Sequence, residues 1–171
     1  MIHLAGMGYG ARSSQGRPRA MNSRIMSGIF VMLAFPFAMS ASLGGDATSV
    51  QADQAKMQGS LRTTSGTSYN VHEIQASTGA TVKEYVSPAG KVFAVSWQGP
   101  FHPDLRQVLG TYFEEYAQAV QTQRASHRGR GPLLIEQPGL VVQISGHMRA
   151  FVGKAYVPQM MPAGVHVEDI R

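Results

Sequence analysis

Trp97, Phe101, His102, Asp104 and Arg106 are the densest gathering of chemically capable side chains in the sequence. Between positions 97 and 106 they bring together two aromatic rings, an imidazole, a carboxylate and a guanidinium. Gly99, Pro100 and Pro103 lie among them. The segment falls at a predicted strand-to-helix junction, and loops held by a rigid scaffold often carry binding groups. An imidazole two residues from a carboxylate suggests a general base, although groups at that spacing need not face each other. The same residues have an ordinary structural use. Gly99 and Pro100 turn the chain, Pro103 and Asp104 open a helix, and Trp97 and Phe101 close the end of a core.

Other candidate groups are dispersed. His72, His102, His127, His147 and His166 are separated by 30, 25, 20 and 19 residues. Three converging imidazoles can hold zinc or copper, but these spacings match no local ligand motif, so neither a metal nor a cofactor is expected. Glu73 and Glu84 lie on neighbouring predicted strands and offer a carboxylate pair of glycosidase type. A hairpin centred on Thr78 and Gly79 puts them opposite each other, where Lys83 would help decide their charge. Arg124, His127, Arg128 and Arg130 make a basic loop able to touch lipid headgroups or acidic polysaccharide. Without interleaved aromatic residues, that loop is no nucleic-acid platform. Glycine-rich phosphate loops, Gly-x-Ser-x-Gly elbows and His-Glu-x-x-His helices are missing from the sequence.

The elements that would position these groups follow from periodicity. Val50, Ala52, Ala55, Met57 and Leu61 predict a short helix over 49–62, with Ser49 as its N-cap and Asp53 near its positive end. Strands are expected over 69–76, 81–86 and 91–97, joined by turns at Thr78–Gly79 and 87–90, which makes an antiparallel meander. Simple alternation puts Phe93, Val95 and Trp97 on one face of the third strand. The strongest helix signal covers 103–122, where Leu105, Val108, Leu109, Tyr112, Phe113, Tyr116 and Val120 recur at three- and four-residue steps. Further short strands are expected over 133–136, 140–145, 148–157 and 165–167. The expected architecture is α+β: an antiparallel β-sheet of five to six strands carrying one long amphipathic helix and a shorter N-terminal helix.

The 171 residues fit one domain, and their net charge of +5 raises the question of an anionic partner. Four of the 15 basic residues and none of the 10 acidic ones fall before position 41. Residues 41–171 therefore carry 11 basic against 10 acidic side chains, close to neutral. Arg12, Arg17, Arg19 and Arg24 precede an apolar stretch over 25–38, followed by small residues at Ala38, Ser40, Ala41 and Ser42. A basic segment, a short apolar one and small residues describe a cleavable secretory signal. The apolar stretch contains Pro36 and is shorter than the roughly 18 residues a membrane span needs, so no permanent anchor is expected. We place the signal at residues 1–40 and a single domain at 41–171, with cleavage after Ser40, give or take two residues. Met21 is an alternative start that would give a signal of ordinary length. The chain has no cysteine, which excludes disulfides, thiolate metal sites and a lipidated cysteine.

The run from Tyr85 to Phe101, Tyr-Val-Ser-Pro-Ala-Gly-Lys-Val-Phe-Ala-Val-Ser-Trp-Gln-Gly-Pro-Phe, is followed by Pro103-Asp-Leu-Arg-Gln-Val-Leu-Gly-Thr-Tyr-Phe113. These segments resemble secreted proteobacterial proteins grouped as domain of unknown function 2844. Leu43-Gly-Gly-Asp46, Gly146-His-Met-Arg-Ala-Phe151 and Pro162-Ala-Gly-Val165 extend the resemblance along the domain. It implies a secreted bacterial protein and carries no catalytic residue with it.

Two functional expectations result. The first is a small exported non-catalytic module, periplasmic or secreted, that binds an envelope protein, glycan or lipid through Trp97, Phe101, His102, Asp104 and Arg106, with no nucleic-acid partner. The alternative is a small hydrolase or metal-dependent enzyme using some of His72, Glu73, Glu84, His102, Asp104 and His147.

Overall fold

The computed structural model describes residues 43–126 and 131–171. The expected signal over 1–40 and loop residues His127, Arg128 and Arg130 lie outside the described residues. The described chain is α+β. Its strands are β1 (Ser60–Ser65), β2 (Asn70–Gln75), β3 (Thr81–Val86), β4 (Val92–Gly99), β5 (Leu133–Gln137), β6 (Leu140–His147) and β7 (Ala150–Tyr156). They form one antiparallel sheet in the order β1-β2-β3-β4-β7-β6-β5. Two meanders thus meet where β4 pairs with β7, and the helical segment between them crosses one face of the sheet.

The sheet has seven strands, against the five to six expected, because the N-terminal helix stops early. Helix α1 covers Val50–Lys56. Gln58 then adopts a left-handed backbone with φ 48°. At Gly59 the chain runs so close to β2 that a Cβ would lie 2.6 Å from the main-chain oxygen of Gln75. The following residues become β1, pairing Leu61 with Ile74 and Thr63 with His72. Local helix propensity gives way to a strand partner supplied by tertiary structure. Ser49 is helical itself and makes no side-chain cap; its hydroxyl donates instead to the Asp46 main-chain oxygen.

The expected helix over 103–122 is a stepped run. It comprises α2 (Leu105–Leu109), a 3-10 turn at Gly110–Tyr112 and α3 (Phe113–Ser126), with Gly110 at φ 52° allowing the step. Val108, Leu109 and Val120 from this run, with Leu43, pack on Val82, Val95, Trp97, Val142 and Ala155 of the sheet. We call this side the helix face. A second small cluster on it joins Val50 of α1 to Ile74.

The reverse side, the open face, is covered in part by the C-terminal tail. Ile170 is buried against Tyr85, Phe93 and Ala94, and Met160, Met161 and Val165 pack on the same cluster. Residues 165–167 form no strand; they lead into a 3-10 turn at Val167–Asp169. Phe93 joins this cluster because the β3–β4 register shifts at Tyr85/Val86. One extra residue in a strand turns its neighbours over, so Phe93 does not share a face with Val95 and Trp97.

Candidate functional site

The junction residues read from the sequence are largely engaged in holding the fold. Trp97 is 2% exposed and lies on the helix face. Its ring crosses Gly153 of β7, where a Cβ would sit 2.2 Å from Cζ2, and its Nε1 has no acceptor. Asp104 caps α2 by accepting from the Arg106 amide at 2.9 Å. Arg106 stacks over Phe113 at 4.2 Å and pairs with Glu114 at 2.9 Å. His102 packs against the Phe151 ring at 4.2 Å between centroids, and Phe101 is exposed. The five residues are neighbours in the chain, yet Trp97 is buried and Phe101 is exposed.

The carboxylate pair takes a different form. The β2–β3 turn has Gly79 at φ 85°, and its register sets His72 opposite Glu84 and Glu73 opposite Lys83. A one-residue slip from a turn centred on Thr78–Gly79 reverses every side chain, so Glu73 and Glu84 face opposite sides of the sheet. Glu73 forms a half-exposed ion pair with Lys83 at 3.8 Å. Glu84 is 1% exposed and hydrogen-bonds instead to Asp53 of α1, which is 0% exposed. Gln107 of α2 donates to Asp53 Oδ1 at 2.7 Å. Burial pushes the Glu84 carboxyl up to about 9, helped by the Asp53 charge, and pushes Asp53 up to about 6. Asp53 Oδ2 and Glu84 Oε2 have no hydrogen-bond partner among the described residues, and the raised values keep a proton on the pair near neutral pH. His72, opposite Glu84, is held below the usual histidine range by burial, and its Nδ1 lies 3.0 Å from the Thr63 hydroxyl. None of the described grooves reaches these groups. They lock α1 and α2 to β3.

No three histidine, aspartate or glutamate side chains among the described residues gather as a metal site. His147 ends β6 and is exposed, and His166 lies in the tail. Also among the described residues, no helix is long and apolar enough to cross a membrane.

The best-formed groove lies on the open face. It encloses about 340 Å3, with β3, β4, β7 and β6 as its floor and Ile170 and Arg171 of the tail as a wall. Sheet register builds its central row. Ser96 of β4 stands opposite both Lys83 of β3 and Lys154 of β7, and Lys154 stands opposite Gln143 of β6. Thr81, Gln98, Val152 and Ser145 form the next row. The wall is fastened by Tyr85, whose hydroxyl donates to the Arg171 main-chain oxygen at 2.6 Å and accepts from the Arg171 amide at 2.8 Å. Lys154 Nζ also donates to the Val167 oxygen at 3.0 Å. A second groove, about 350 Å3, shares Thr81, Gln98 and Val152 and continues to Phe151. This surface offers ammonium, amide and hydroxyl groups with apolar patches between them, a set that can orient a ligand and contains no nucleophile–base pair.

Of the junction residues, Trp97 is among those lining the best-formed groove, and the sequence reading did not include Lys83, Ser96, Gln98, Gln143 or Lys154. The signal available was the polar phase of β3 and β4, Thr81-x-Lys83 and Ser96-x-Gln98, on strands whose other face is apolar except for Glu84. Lys154 could be added only once β7 was known to pair with β4.

The family model described as "Protein of unknown function (DUF2844)" matches residues 39–170. The match takes in every described strand and helix, and the chain belongs to this family. No curated protein and no solved structure matches it.

Proposed function

We propose that this DUF2844 member is an exported, non-catalytic binding module that holds a polar ligand in the groove on the open face of its sheet. The observation that carries the reading is the row Lys83, Ser96, Lys154 and Gln143, laid side by side across four strands beneath a wall that Tyr85 fastens. The hydrolase reading finds no such support. His72, Glu73, Glu84, His102, Asp104 and His147 are absent from the lining of this groove, and the close carboxyl pair lies in the interior.

Amide NMR of the purified chain against a panel of neutral glycans, acidic glycans, lipid headgroup analogues and short peptides tests the reading. Saturable shifts at Lys83, Ser96, Gln98 and Lys154 with one class are expected. Shifts confined to 101–106, or none with any class, would overturn it. Export is tested separately. The protein recovered from periplasm or medium is expected to begin between Ala41 and Leu43, and recovery with residues 1–40 intact in the cytosol contradicts export.

A further inference from the structure

We infer that the open-face groove selects a short anionic glycan, holding its carboxylate or phosphate between Lys83 and Lys154 above Ser96. The inference rests on the binding reading above and names the chemistry that the groove would recognise.

Charge comes first. The groove is lined by three cationic side chains, Lys83, Lys154 and Arg171, and by no acidic side chain. Glu73 stands 3.8 Å from Lys83 Nζ, beyond hydrogen-bond distance, so this pair leaves the ammonium donors of Lys83 unused. Lys154 gives one donor to the Val167 oxygen, and an ammonium has three. Lys83 and Lys154 stand one strand to either side of Ser96, so their backbones are about 10 Å apart. Their flexible stems can converge on one oxyanion over the serine.

The remaining lining favours a sugar over a peptide. Gln98, Gln143 and Ser145 present amides and a hydroxyl, while Val152 presents apolar surface. A sugar ring has hydroxyl edges and C–H faces that match this mixture. A bound peptide usually gains its affinity from main-chain pairing at a sheet edge. Here the main chain under the groove is already paired, β4 with β3 on one side and β7 on the other, so strand addition is closed. Continuity with the second groove through Thr81, Gln98 and Val152 provides length for more than one ring.

Calorimetric titration of the purified full chain at low ionic strength, with trigalacturonic acid, its methyl ester and glucose 6-phosphate, tests this. The acid is expected to bind roughly tenfold tighter than its ester, the scale of one charge-assisted hydrogen bond. Lys83→Gln and Lys154→Gln should each weaken the acid, and the double variant should bring it to the level of the ester. Tighter binding of the sugar phosphate than of the acid identifies phosphate as the anion, and the reverse identifies carboxylate. Equal binding of acid and ester overturns anion selection while leaving the groove as a glycan site. Binding of none of the three probes overturns the inference; if groove amides are also unmoved across the whole panel above, the binding reading fails with it.

Discussion

Lys83 and Glu84 are neighbours on β3 and face opposite sides of one sheet. Glu84 points toward the helices, fully buried, and shares its proton with Asp53. Lys83 points into the groove beside Ser96, half-exposed. The helix face spends its polar groups on locking α1 and α2 to the sheet, and it leaves Asp53 Oδ2, Glu84 Oε2 and Trp97 Nε1 without ordinary partners. The open face keeps its lysines and amides near solvent, above a buried Ser96 and with the tail as a wall. The contrast teaches that a buried titratable pair need not mark the functional site. Solvent access separates the two sides, whereas pKa shifts alone single out the helix face.

Substitution can break that contrast, and the largest effect belongs to the helix face. Trp97→Ala is expected to cost about 3–5 kcal/mol, because it empties a fully buried site that the surrounding β-branched residues cannot close. Urea midpoints measure it. Gly153→Ala should cost about 1–3 kcal/mol by overpacking against the same ring. Most of that cost should disappear in the Trp97→Ala background.

Glu84 makes the helix face sensitive to pH. Its folded carboxyl, at about 9, lies above its unfolded value, and Asp53 at about 6 does the same. Groups raised in this way contribute stability fully below their unfolded values near pH 4, and lose it as pH rises through the folded ones. Stability should therefore decline between about pH 4 and pH 9. Glu84→Gln should remove most of the slope, gaining on the order of 1–3 kcal/mol at pH 8 and little near pH 4. Thermal melts across pH read both chains, and an unchanged slope would deny the shared proton.

Much of this layout is legible before folding, and the reasons for the rest are physical. Alternation and turn residues locate β2, β3 and β4, and three- and four-residue spacing locates the run over 105–126. β1 escapes notice because Leu61 is the one large apolar residue in Ser60–Ser65, so no alternation marks it. The faces of β2 and β4 depend on single-residue events, the Gly79 turn and the shift at Tyr85/Val86, which composition does not encode. Asp53 and Glu84 are far apart in the chain, and Lys154 reaches the groove only through the β4–β7 pairing. The Trp97–Arg106 cluster drew attention by chain proximity, and the strand sends its two ends to different surroundings.

The open face should tolerate change with smaller effects on stability. Tyr85→Phe removes two hydrogen bonds to Arg171 and is expected to cost about 1–2 kcal/mol. Hydrogen exchange should rise in the tail from 165 to 171 while the helix face stays protected. Smallest of all, Lys83→Gln with Lys154→Gln should alter stability by less than about 1 kcal/mol, since neither lysine is buried.

That double variant also provides the most direct test of the division between the faces. A single amide NMR titration of Lys83→Gln/Lys154→Gln with trigalacturonic acid reads fold and binding together. The account predicts a dispersed, native-like spectrum that the ligand no longer moves, where the parent chain shifts at Ser96, Gln98 and their β7 partners. A collapsed spectrum would place these lysines among the groups that hold the fold. Ligand shifts that persist undiminished in the variant would remove the groove from the site of binding.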